Sequence, residues 1–290
     1  MDSPSASVGN TTDEPEDILS ASLQILYDYS PITHSTPGSL FTYAVNPELL
    51  SGQSKQIELM TPDTQAANWS LHASSIWVSS LFLADHLEDL HIETLDDRGV
   101  VRVLELGAGA GLPSILIGSV YQNALVTVSD YPDDNLIRTL SDNIRRNNVA
   151  ERCRAVPYAW GTDVSPLLNQ DDGRRFDLII AADTLWNPVL HAPFVQALCQ
   201  CLDHRPKSRI HLVAGLHTGR YTIQAFLDCI KQHGLVLEHA TEREVGGTLS
   251  RLWDVARADN EDERERRRWI VWMVLRWVDH RNLYGPLHTK

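Results

Sequence analysis

Apolar residues change their spacing near residue 100. Before it, short apolar pieces such as ILSASLQILY (18–27) alternate with turn signals such as SPITHSTPGS (30–39), and a helical pattern runs from about 75 to 90. Beyond it, two kinds of run alternate. VVRVLEL (100–106), LVTVS (125–129), CRAVPYAW (153–160), FDLIIAA (176–182) and RIHLVAG (209–215) are short, largely apolar and bounded by turns, which predicts strands. PSILIGSVY (113–121), DDNLIRTLSDNIRRN (133–147), HAPFVQALCQCL (191–202) and YTIQAFLDCIKQHG (221–234) carry helical spacing. Strand and helix in turn make the βαβ rhythm of a parallel sheet. The rhythm stops at LVLEHAT (235–241) and RWIVWMVLRW (268–277), two strand-like runs joined by a polar connector rich in Arg, Asp and Glu. They predict a final antiparallel hairpin at the sheet's edge. The expected organisation is an acidic tail over 1–16, too polar to repay the entropy of ordering, an N-terminal extension over 17–74, and an α/β domain over 75–290.

Charge narrows the partners. Against 25 Lys and Arg stand 38 Asp and Glu, a net charge of −13, and such a surface repels a phosphate backbone. Nucleic acid is excluded as a first expectation. No apolar run approaches the roughly 20 residues that span a bilayer, and the opening MDSPSASVGNTTDEPED has no leader-like pattern, so a cytoplasmic protein away from membranes is expected. Four scattered cysteines, Cys153, Cys199, Cys201 and Cys229, suit a reducing compartment. Cys199, Cys201 and His204 lie close in sequence, but side chains two apart on a helix diverge, and no metal is expected.

The chemistry concentrates in VLELGAGAGLPSI (103–115), where three alternating glycines stand between a strand and a helix. There they let the backbone turn sharply and approach a ligand while helix N–H groups face it. Asp130 closes the second strand 23 residues after Gly107, placed to accept hydrogen bonds from a ribose diol. NAD and S-adenosylmethionine share that pair of features. In the dinucleotide frame the third small residue falls on Leu112, which blocks the close helix–strand contact that frame needs. Glu105, two residues before the first glycine, suits a ligand with an ammonium and a sulfonium better than a pyrophosphate. The terminal hairpin also fits a seven-stranded methyltransferase sheet, and S-adenosylmethionine is the expected cofactor.

Residues 103–114 (VLELGAGAGLPS), 126–132 (VTVSDYP), 158–161 (YAWG) and 176–187 (FDLIIAADTLWN) resemble the successive motifs of the lysine-methyltransferase-like branch of seven-β-strand methyltransferases. AGLHTGR (214–220) and the ending RERRRWIVWMVLRW look like fungal proteins described as nicotinamide N-methyltransferases, beside relatives that methylate the N-terminus and a nearby lysine of translation elongation factor 1-alpha. The resemblance implies a Rossmann-like seven-stranded methyltransferase sheet. It also implies that Gly107, Ala108 and Gly109 lie along the cofactor, that Asp130 holds its ribose, that Trp160 contacts the adenine, and that Trp77 and Ala182 touch it. Departures gather at the substrate side. Val78 stands where the family has Asn after the tryptophan, a histidine-bearing approach appears as Leu71-His72-Ala73-Ser74-Ser75, and the D-x-x-Y/F motif is Asp183-Thr184-Leu185-Trp186.

Methyl transfer to an amine requires a lone pair aligned with the S–CH3 bond and a proton removed from an ammonium. Asp183 is the expected group to orient or relay that proton, Trp186 offers an aromatic face to the cationic nitrogen, and Asn187 completes the candidate catalytic set. A basic protein amine is the leading substrate, with elongation factor 1-alpha as a candidate. A small heteroaromatic amine such as nicotinamide is the alternative, and a non-catalytic cofactor-binding module is a third reading.

Overall fold

The computed structural model describes residues 32–95, 97–168 and 173–278. The acidic tail expected over 1–16 lies outside them. Among the described residues, ten strands form two sheets. Leu40–Ala44 (β1) and Gln56–Met60 (β2) pair antiparallel as a small sheet of their own. The large sheet contains Val101–Leu106 (β3), Ala124–Asp130 (β4), Cys153–Pro157 (β5), Leu178–Ala182 (β6), Arg209–Gly215 (β7), Leu235–Glu244 (β8), Ser250–Leu252 (β9) and Trp269–Trp277 (β10). Their order is β5-β4-β3-β6-β7-β10-β8-β9. All pairings from β5 to β7 are parallel, and β10 runs antiparallel to both neighbours. The seven expected strands are thus present, and the polar connector adds the three-residue β9 on the outer edge of β8.

Burial explains where the last strand goes. WIVWMVLRW is apolar at consecutive positions, and Trp269 to Leu275 are all buried, so it occupies the interior place between β7 and β8. β8 carries exposed positions and sits further out. The connector between them folds back onto the body through Arg220, whose fully buried guanidinium pairs with Glu242 at 2.5 Å and Glu261 at 2.6 Å.

The helices are Val78–Asp85 (α1), Leu112–Val120 (α2), Asp134–Arg146 (α3), Ser165–Leu168 (α4), His191–Cys201 (α5), Arg220–Ile230 (α6) and Glu263–Arg267 (α7). The helix expected from about 75 starts at Val78 because the chain before it is held extended. Thr33 bridges Trp77, and the Ile76 N–H donates to Ser35 Oγ at 2.8 Å. On α5, Cys201 faces the core while Cys199 is half-buried.

The small β1–β2 sheet is a feature that turn signals in the 17–74 region concealed. The free edge of β2 is bound by two side-chain amides, one on the helix Asp134–Arg146 and one at its C-cap, rather than by a third strand. Asn143 accepts from the Met60 N–H at 2.8 Å and donates to the Met60 and Ala110 carbonyls, while Asn147 accepts from Glu58 N–H at 3.0 Å and donates to its carbonyl at 2.8 Å. Tyr43, Val45, Ile57 and Leu59 join the hydrophobic cluster that includes Leu112, Ile115 and Leu140, so the boundary expected at 74 runs through one packed core. Strand order reverses between β3 and β6. Ligands in such sheets bind beyond the carboxyl ends of the strands at that point.

Candidate active site

A cavity of about 390 Å³ lies there, within the range of small-molecule sites. Ten of the eleven residues singled out from the sequence line it: Trp77, Glu105, Gly107, Ala108, Gly109, Asp130, Trp160, Ala182, Asp183 and Trp186. Asn187 does not. Its side chain accepts from the Val189 N–H at 3.1 Å and caps the short turn 188–190.

The glycine turn forms one wall. Gly107 has φ +72°, and a Cβ on it would stand 2.8 Å from Thr184 Cγ2, so any side chain would fill the space where β3 and β6 open. Gly111 serves packing instead, with φ +85° and its Cα pressed towards Leu140. As the N-cap of α2 it brings no side chain, and Pro113 lacks an N–H. Glu105 supplies the missing acceptor, taking the Ser114 N–H at 3.2 Å from the end of β3. Burial pushes its carboxyl up to about 8 against the hydrogen bond from Ser114 and with the help of nearby Asp130.

Asp130 ends β4 with both oxygens turned to the glycine turn and to the next residue. Oδ2 accepts from Gly109 N–H and Oδ1 from Tyr131 N–H, each at 2.6 Å. Burial raises its carboxyl to about 6, and those two donors oppose the shift. Each oxygen retains a lone pair for a ligand hydroxyl. Trp160 stands beside Gly107 and leans on Phe194, ring centroids 4.5 Å apart.

Asp183 is in the left-handed region at φ +53°, which an Asp tolerates better than a branched residue. Its carboxylate joins three elements. Oδ1 accepts the Gly215 N–H at the end of β7 at 2.7 Å, and Oδ2 accepts the Ser79 N–H in the first turn of α1 at 3.3 Å. The proton relay expected of it therefore meets a group already engaged in holding the cavity together.

Two residues that the sequence argument did not single out complete the other wall. His217 stacks on Trp77, with centroids 5.6 Å apart and planes 16° from parallel. His72 stands edge-on to Trp77 at 6.1 Å and to Trp186 at 5.1 Å, and its carbonyl accepts the Trp77 indole N–H at 2.7 Å. Both histidines sat in quoted stretches, LHASS and AGLHTGR, but nothing in their spacing says that segments 145 residues apart in sequence meet.

Residues 56–233, which contain nearly all of this lining, match the family of lysine methyltransferases. The chain belongs to that family. Among its relatives, the protein N-terminal and lysine N-methyltransferase efm7 of Schizosaccharomyces pombe is 29% identical over 180 residues, covering 60% of this chain and 68% of that protein. The Gibberella zeae protein of the same description is 27% identical over 257 residues, covering 83% of this chain and 86% of its own. In Neurospora crassa a third is 30% identical over 191 residues, 59% of this chain and 64% of the relative. Among the described residues of this lysine methyltransferase family member, no helix is long and apolar enough to cross a membrane.

Proposed function

We propose that this chain is an S-adenosylmethionine-dependent N-methyltransferase acting on a protein amine, a lysine side chain or a chain terminus. The observation that carries the reading is a single cavity lined both by the Gly107–Asp130 cradle and by the aromatic wall of Trp77, Trp186, His72 and His217. The donor set fits the cofactor. Asp130 offers carboxylate lone pairs to a ribose diol, the bare Gly107 leaves room for close approach, and desolvated Glu105 favours a cationic group beside it. Gly107, Ala108 and Gly109 would lie along the bound molecule, Trp160 would cover its adenine, and Trp77 and Ala182 would flank its reacting end. When bound, S-adenosylmethionine supplies a methyl group activated by a sulfonium.

The protein's own residues then have three tasks. The apolar lining excludes water, the Trp77 and Trp186 faces orient a nitrogen that becomes cationic, and Asp183 keeps the ends of β6, β7 and α1 in register around it. A protein substrate is favoured by exposed Trp69, Tyr131 and Val189, each on or next to a segment that borders the cavity. The net charge of −13 favours a basic one, with elongation factor 1-alpha as the first candidate and the cytoplasm as the compartment.

Mass spectrometry after incubation with isotopically labelled S-adenosylmethionine and extract from cells lacking the enzyme tests this. Label on a protein lysine or N-terminus is the expected result. Label only on a small heteroaromatic amine such as nicotinamide would overturn the protein reading. Tight S-adenosylhomocysteine binding with no transfer at all would reduce the chain to a cofactor-binding module.

A further inference from the structure

We propose that His217 accepts the proton of the substrate amine, an inference that rests on the N-methyltransferase reading. An alkyl amine is largely protonated at neutral pH, and its nitrogen has no lone pair to offer until that proton leaves. The carboxylates that line the cavity are engaged with backbone donors: Glu105 with Ser114, Asp130 with Gly109 and Tyr131, Asp183 with Gly215 and Ser79. His217 is built differently. Neither of its ring nitrogens is hydrogen-bonded to a described residue. Its ring lies over the bare Cα of Gly215, with Nδ1 2.3 Å from where a Cβ would stand, so any side chain at 215 would expel the imidazole. The same point is 3.4 Å from Asp183 Oδ1. The imidazole and the Asp183 carboxylate thus both face the bare Cα of Gly215, and Trp77 fixes the ring plane from its stacked position.

The elements packed against this turn are α6, α7 and β10; their other charged or titratable groups are Arg220, Tyr221, Asp228 and Cys229 of α6, Glu263, Arg264, Glu265, Arg266 and Arg267 of α7, and Arg276 of β10, while His72 stands edge-on to Trp77. Arg220 is committed to Glu242 and Glu261. In the reaction the substrate nitrogen gives a proton to a ring nitrogen of His217. The freed lone pair forms the N–C bond as the C–S bond breaks with its electron pair on sulfur, and the imidazolium returns its proton to water.

Two measurements test this. With the protein substrate labelled by wild type, His217→Gln should lose about 10²-fold in kcat at pH 7 and recover much of it towards pH 9.5, where solution deprotonates the amine. Its S-adenosylhomocysteine affinity should remain within about twofold by calorimetry, since the proposal gives His217 no part in holding the cofactor. A purely structural role would give a loss independent of pH, and a variant as active as wild type removes His217 from the chemistry. If wild type labels no protein, the protein-amine reading itself falls and takes this step with it.

Discussion

At the scale of single residues, two buried acids, Asp130 and Glu105, line the same cavity. Asp130 accepts from two backbone donors and keeps free lone pairs towards the cavity, so Asp130→Ala should weaken S-adenosylhomocysteine binding by about 1.5–3 kcal/mol in titration calorimetry. Tight binding of NAD with no response to S-adenosylhomocysteine would remove the assignment. Glu105 has its ordinary value of 4.5 pushed to about 8 in the ligand-free fold. The folded form therefore holds more protons than the unfolded chain between those two values, and Glu105 lowers stability progressively as pH rises through that window. An ammonium beside it favours the carboxylate, so ligand binding at pH 7 should release a proton and strengthen as pH rises to about 8. Calorimetry in phosphate and in Tris should give different apparent heats, and Glu105→Gln should erase the difference. Equal heats for wild type would place the cation elsewhere.

At the scale of elements, the amides on α3 and its C-cap stand in for a missing strand. Asn143 is fully buried and satisfies groups on β2 and on the glycine turn at once. Asn143→Ala should cost about 2–3 kcal/mol in urea unfolding, because it leaves a buried N–H and two carbonyls without partners. A change below about 0.5 kcal/mol would mean that water replaces the amide. The elements of the α/β body were legible in sequence because each carries its own period and length. β1 and β2 were not, since short strands such as LFTYA and QIELM owe their pairing to each other and to Asn143 and Asn147, which lie 83 and 89 residues from the β2 groups they bind.

At the scale of the whole molecule, the net charge of −13 should steer a basic substrate towards the protein. Exposed charges are screened over about 10 Å at 0.1 M salt, while the cofactor cradle is enclosed. Raising salt from about 50 to about 500 mM should therefore increase KM for a basic protein several-fold and leave S-adenosylhomocysteine affinity within about twofold. A salt-independent KM would show that the apolar rim of Trp69, Tyr131 and Val189 dominates docking instead.

Local signals determined the alternation of strands and helices, the glycine turn, and the acids that close β3 and β4, because hydrophobic period, Gly φ freedom and strand ends are written within a dozen residues. The Gly107–Asp130 wall of the cavity is built from such pieces, and the residues that line it were readable one by one. Only the tertiary structure decided the facing wall. It engaged both oxygens of Asp183 with Gly215 and Ser79, made Asn187 the cap of the 188–190 turn, and brought the rings of His72 and His217 against Trp77. Those outcomes depend on which backbone donors and rings meet after strands distant in sequence come to lie side by side, and no local pattern encodes that meeting.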